Sequence, residues 1–230
     1  PDDPRAARAT GITLAFAWLA YPYTTFALQS NSNDSLVAAL LIWGLVFFSS
    51  PAARGGFVAA AAMAKFAPLA LVPLYVVGER GLLDRWRERP RAVGMRPVVV
   101  AGAAFGVVAA VLLAHPVVDP GLGVFWERTV ESQLDRKSPF SVWGQIGGLE
   151  WWQAVVLVGS AGLVVVTALV PGRRELGQVA ALAAAVLVAS QLAVDHWFYL
   201  YLPWFVGLVI VGLTLRHARN GDDDYRLRPI

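Results

Sequence analysis

Apolar runs follow one another along almost the whole sequence, at 10–28, 36–48, 57–77, 97–114, 151–170, 177–194 and 200–215. About 20 apolar residues cross a bilayer as one helix. Inside lipid every backbone N–H and C=O must find its partner within the chain, so runs of this kind span as helices. Hydrophobic residues are 57% of the 230 and charged residues 15%, whereas a soluble domain is nearer a quarter charged. The expected fold is all-α: a polytopic transmembrane helical bundle of about eight short spans. With no cysteine there is neither a disulfide framework nor a thiolate metal site. His115, His196 and His217 are too scattered for a zinc cluster, so neither metal nor cofactor is expected. No dinucleotide turn, Walker loop, zincin helix or nucleophile elbow occurs in the sequence.

One run is interrupted at its centre. Residues 57–77 carry Lys65-Phe66-Ala67-Pro68 midway, where a lipid-facing charge would cost several kcal/mol. The pattern predicts two short helices, 57–64 and 68–77, meeting in a break that faces a polar cavity, because such breaks persist only inside protein or against water. Charge sidedness agrees with a hairpin. The segment 79–96 holds six arginines against three acids, and further basic residues lie at 173–174 and 216–219. Placing these in the cytoplasm turns the Lys65 apex outward, with 29–34 outside and Arg5, Arg8 and Arg54 inside. A single straight span would instead move Arg5 and Arg8 outside and 29–34 inside, and only the hairpin satisfies every basic cluster. Beside a membrane span an arginine-rich loop is an orientation signal touching anionic lipid, so no nucleic-acid partner is expected.

The one long polar segment is 115–150. An amphipathic helix is predicted at 124–135, lying flat, with Phe125 and Trp126 in the interface and Glu127, Arg128, Glu131, Asp135, Arg136 and Lys137 in water. Pro139 ends it, and Gly144, Gly147 and Gly148 loosen the backbone beyond that proline. This is either a lid over a membrane-embedded site or a loop joining two spans. Residues 1–215 form one membrane domain, and 216–230, with Asp222-Asp223-Asp224, are expected to be a disordered cytoplasmic tail. The chain starts at Pro1 with no signal-peptide pattern and reads as a piece of something longer.

In this topology Asn33, Asp34, Lys65, Arg128, Arg136, Lys137 and His196 share the outer face. Such a set suits a lipid phosphate and a sugar hydroxyl array, arginine through its two-pronged fork. Trp143, Trp197 and Tyr199 offer faces to sugar rings or isoprenoid chains. Each has a plainer reading. Tryptophan and tyrosine collect at interfaces anyway. Lys65 can snorkel, His196 can be an interfacial histidine, and Asp34 can cap a helix beginning at Ser35.

The blocks AYPYTTFALQSNSND, AAMAKFAPLALVPLY, WERTVESQLDRKSPFSVWG and DHWFYLYLPW, in this order across 10–215, resemble the family-87 glycosyltransferases. These are polyprenol-phosphate-mannose-dependent mannosyltransferases of the C-type membrane fold. The resemblance implies an inverting sugar transfer from a polyprenyl-phosphate donor to a lipid or glycan acceptor, with a carboxylate taking the acceptor's proton. It implies donor-phosphate contacts at Lys65, Arg128, Arg136 and His196, and places Asn33 and Asp34 at the sugar. Lys137, Ser138, Trp143 and Tyr199 complete the expected substrate-binding set. The family's general base lies in an acidic first outer loop, which this sequence lacks, so either the base lies upstream or Asp34 takes the role. A transporter or flippase of a lipid-linked sugar is the alternative, since a charged broken helix also marks carriers, although no second copy of the Lys65 region is evident. A plain membrane anchor leaves the long loop unexplained.

Overall fold

The computed structural model describes residues 4–87, 91–132, 140–170, 172–195 and 198–226, with side chains omitted for 91–93 and 216–226. The described residues are 85% helical, with no strand among them. In order the helices are α1 (Pro4–Leu19), α2 (Pro22–Gln29), α3 (Asp34–Val46) and α4 (Pro51–Ala64), then a 3-10 turn (Ala67–Leu71) leading into α5 (Val72–Val77). They continue as α6 (Leu82–Arg87), α7 (Arg91–Pro116), α8 (Leu122–Trp126), α9 (Val142–Gln145), α10 (Glu150–Leu169), α11 (Leu176–Ala193) and α12 (Leu202–Arg226).

Three stretches are long and apolar enough to cross a membrane: Gly94–Glu131, Glu150–Leu169 and Leu176–Ala193. Eight full crossings are not found among the described residues, because several apolar helices are too short. The 13 residues of α3 reach only about 20 Å at 1.5 Å per residue, against a hydrocarbon core of about 30 Å. The first apolar run is two helices, since Pro22 holds Tyr21 extended (φ −67°, ψ 124°) and starts α2 afresh. Where a loop is expected from His115, the helix continues through Pro116 and the chain stays mostly helical to Glu131, interrupted at Asp119 (φ −138°, ψ 114°) and Gly121 (φ 96°, ψ 158°) on either side of Pro120. The flat helix expected at 124–135 is the last part of this run, and residues 133–139 lie outside the described set. In the charged tail the backbone is helical to Arg226.

The hairpin is present. Helix α4 runs to Ala64, the chain turns at Lys65 (φ −153°, ψ 145°), and the 3-10 turn and α5 run back. The two ends meet through Arg54, whose Nε donates to the Tyr75 carbonyl (2.7 Å) and whose Nη2 donates to that of Val76 (3.4 Å). The break itself is covalent in origin. In a continuous helix the N–H of residue 68 would bond the Ala64 carbonyl, but Pro68 has no N–H. The Asn33 side-chain amide takes that carbonyl instead, at 3.3 Å.

The hairpin packs on α3, α7, α10 and α11, around a core that includes Leu41, Val58, Leu71, Leu74, Tyr75, Ala183, Leu187 and Leu208. Small residues set the distances, as in membrane bundles. Gly212 lies against Gly177 and Ala181, where α12 crosses α11. At the crossing of α4 and α7, a Cβ on Gly55 would overlap the Ala101 carbonyl, which is backbone and cannot yield. The outer faces are left bare. Val99, Val107, Val111, Val158 and Val166 are all more than half exposed, a surface suited to lipid. Gly55→Ala should lower thermal stability in detergent by about 1–3 kcal/mol. Gly56→Ala, whose new methyl would sit 3.6 Å from Val108 Cγ2, should leave the melting temperature unchanged or higher, since alanine favours the helix. Equal loss in both variants would show that the α4–α7 contact is not set by Gly55.

Candidate functional site

The turn before α3 and the hairpin apex come together at one end of the bundle. Asp34 is the first residue of α3, with Asn33 as the preceding cap residue. Of the two readings of Asp34, the plainer one, a cap on a helix starting at Ser35, is therefore not the one seen. Its carboxyl group is 1% exposed and is met from three directions. Trp204 Nε1, from α12, donates to Oδ1 at 2.9 Å. Lys65 Nζ, from the apex, stands 3.7 Å from the same oxygen. The Ser32 hydroxyl donates to Oδ2 and accepts from the Asp34 backbone N–H at 3.2 Å.

The ion pair is asymmetric. Asp34 is enclosed, whereas the Lys65 side chain is 34% exposed. Pro68 and the extended backbone at Lys65 hold that ammonium out of any helix ladder and aim it past the end of α4. The geometry therefore presents one cation at the rim and keeps its counter-ion behind it. Placing a charged pair here is costly unless both members are tied to further donors and acceptors. The tryptophan and serine bonds supply those ties for the aspartate.

A run of aromatic rings lines the same end. Tyr23 stacks on Tyr199 (centroids 5.4 Å apart, planes at 15°), and Phe140 lies against Tyr199 at 5.3 Å and Phe198 at 5.8 Å. Phe198 contacts Tyr201 at 6.0 Å, and Tyr201 contacts Trp204 at 4.5 Å. The rings thus reach from α2, through the segment before α12, to the indole that holds Asp34.

The other expected residues are placed variously. Asn33 serves the Ala64 carbonyl at the helix break. Trp143 donates its indole N–H to the Leu192 carbonyl at 2.8 Å, so its polar edge joins α9 to the end of α11. Arg128 is exposed on the turn after α8, with no bond to the Asp34 group. Arg136, Lys137, Ser138, His196 and Trp197 lie outside the described residues. Trp204, Ser32, Tyr23 and Phe140 join the site without having been assigned a role there from the sequence. Ser32 carried a signal, because a serine two residues before an aspartate can close a local turn. No metal-holding group of histidines and acids occurs among the described residues. No protein-family model, curated protein or solved structure matches this chain.

Trp204→Phe keeps the ring and removes the donor, leaving a buried acceptor short of one partner. The expected cost is about 1–3 kcal/mol, read as a fall in melting temperature in detergent. In a double-mutant cycle with Asp34→Leu, most of that cost should vanish. Additive losses would mean that the indole stabilises through packing alone.

Proposed function

We propose that this chain is a multi-pass membrane glycosyltransferase, or the donor-binding part of one. It moves a sugar, mannose by the resemblance, from a polyprenyl-phosphate donor to a lipid or glycan acceptor at the extracytoplasmic face, with the C-terminus in the cytoplasm. The observation that carries this reading is the Lys65 ammonium at a helix break, backed by a buried carboxylate and flanked by aromatic rings. Ionisable groups among membrane helices are functional candidates by default.

In this reading Lys65 meets the donor phosphate and neutralises charge as the glycosyl–phosphate bond breaks. The exposed rings of Tyr199 and Phe140 offer faces to the sugar or to isoprene units. Asp34 holds Lys65 in place through the 3.7 Å pair. Its enclosure and its tryptophan and serine bonds suit a positioning group better than a base that must reach an acceptor hydroxyl. The base then lies upstream of residue 1, as the resemblance implies, and Arg128, Arg136, Lys137 and His196 remain as further donor contacts.

The test is transfer of radiolabelled mannose from polyprenyl-phosphate-mannose in membranes, using this chain and a form extended by its natural upstream sequence. Lys65→Met in the active form should cut transfer about 100-fold or more, the scale seen when a group stabilising developing charge is removed. Lys65→Arg should keep part of the activity. Asp34→Asn should lose no more than Lys65→Met, since both act through the same cation, whereas a base at Asp34 would make the asparagine variant the worse of the two. Wild-type transfer by Lys65→Met would remove the site assignment. Lipid-linked sugar crossing the membrane without any transfer would favour the carrier reading.

A further inference from the structure

The opposite end of the bundle holds a second group of buried charges, independent of the Lys65 site. Arg54 and Arg85 are 3% and 6% exposed, and Arg174 is 4% exposed. All their described hydrogen bonds go to backbone carbonyls. Besides its bonds to Tyr75 and Val76, Arg54 donates to Phe48 at 3.0 Å. Arg85 donates to Arg80 (3.2 Å), Gly94 (2.8 Å) and Val77 (3.0 Å). Arg174 donates to Gly78 (3.2 Å), Val170 (2.8 Å) and Thr167, while its Nε has no partner. None of the three has a carboxylate within ion-pairing distance among the described residues.

Most of the acceptors are carbonyls at the ends of α3, α5 and α10, so these guanidinium groups cap helix C-termini, while Arg85 also reaches the Arg80 carbonyl and that of Gly94 in the first turn of α7. Capping does not balance the charge. A helix end carries roughly half a negative charge, so three ends offset about half of three arginines. The exposed Glu79 also lines the cavity and acts favourably on Arg85, without reaching ion-pairing distance of it. Burial pulls Arg85 and Arg174 below their ordinary values, with Arg80 adding to the effect on Arg85 and Arg85 to that on Arg174, while Glu79 opposes the shift of Arg85 without cancelling it.

The space for an anion is there. A cavity of about 280 Å³ is lined by Ser49, Pro51, Arg54, Glu79, Arg80, Arg85, Gly94 and Pro97. A guanidinium has five N–H groups, and Arg54 and Arg85 each make three described bonds, which leaves each with donors to spare. The neighbouring helix α6 turns Arg85 inward and leaves Trp86 and Leu83, 65% and 46% exposed, on its outer side. Tryptophan of this kind sits at headgroup depth, and basic pockets between membrane helices take phosphorylated headgroups.

We infer that the cavity between Arg54, Arg80 and Arg85 binds a phosphate group, carried either by an anionic phospholipid or by free phosphate. Neither buried arginine is a useful probe alone, because removing one uncaps helices. Ser49 is exposed on the cavity wall, so Ser49→Glu places a competing carboxylate there without touching the caps. Arg80→Gln removes a wall charge.

The experiment follows the melting temperature of the purified chain in maltoside micelles during titration with phosphatidylglycerol, phosphatidylcholine or inorganic phosphate, at matched ionic strength. Phosphatidylglycerol should raise it saturably, and phosphatidylcholine should not. The half-saturating concentration should rise at least tenfold in Ser49→Glu and in Arg80→Gln. If inorganic phosphate reproduces the shift, the free ion is the source. If only phosphatidylglycerol does, the source is the lipid. Equal stabilisation by both lipids, or an unchanged midpoint in Ser49→Glu, would overturn the assignment.

Discussion

A carboxyl group enclosed in an apolar bundle has to be met by donors, and in this protein Asp34 sets where three separate segments lie. Trp204 must come from α12, Lys65 from the hairpin apex, and Ser32 from the turn before α3. Leaving such a group unmatched costs more than most single packing contacts return. The contacts of α3 with α12 and with the hairpin are therefore fixed by polar satisfaction as well as by the apolar core.

The two ends of the bundle handle charge by different means. At the Lys65 end a cation is paired with an anion and left partly at the surface. At the Arg54 end cations are buried against the carbonyls of helix termini, with no ion-paired carboxylate among the described residues. The first arrangement holds a charge in readiness at a rim. The second ties helix ends together and keeps a positive field inside a cavity. The Asn33 bond to Ala64 at the first end and the arginine bonds at the second both answer carbonyls that a helix end leaves without a donor.

Much of this was legible in the sequence, and what was missed has physical reasons. The hairpin was readable because Lys65 and Pro68 each forbid a straight lipid-facing helix, one by charge and the other by its missing N–H. The meeting of 29–34 with the apex followed from charge sidedness. The number of crossings was not readable, since apolar runs show composition but not where a helix stops short. Trp143 and Asn33 look like ligand groups in sequence yet hold a carbonyl each, a choice that depends on which backbone acceptors the fold leaves open. Trp204 was hidden among other aromatics, because only the folded chain brings residue 204 against residue 34. The buried arginines read as an orientation signal because sequence shows their charge but not the carbonyls they reach.

The bonds of Arg54 also bear on how the chain is made. Its guanidinium joins the carbonyl of Phe48, behind it in sequence, to those of Tyr75 and Val76, well ahead of it. During synthesis α3 and α4 emerge first, and the arginine then has only one of its final acceptors. The clasp closes only after residue 76 has left the ribosome, when α5 can swing back. Before that point the guanidinium has only the Phe48 carbonyl of its three described acceptors, so the burial of Arg54 depends on α5 being in place.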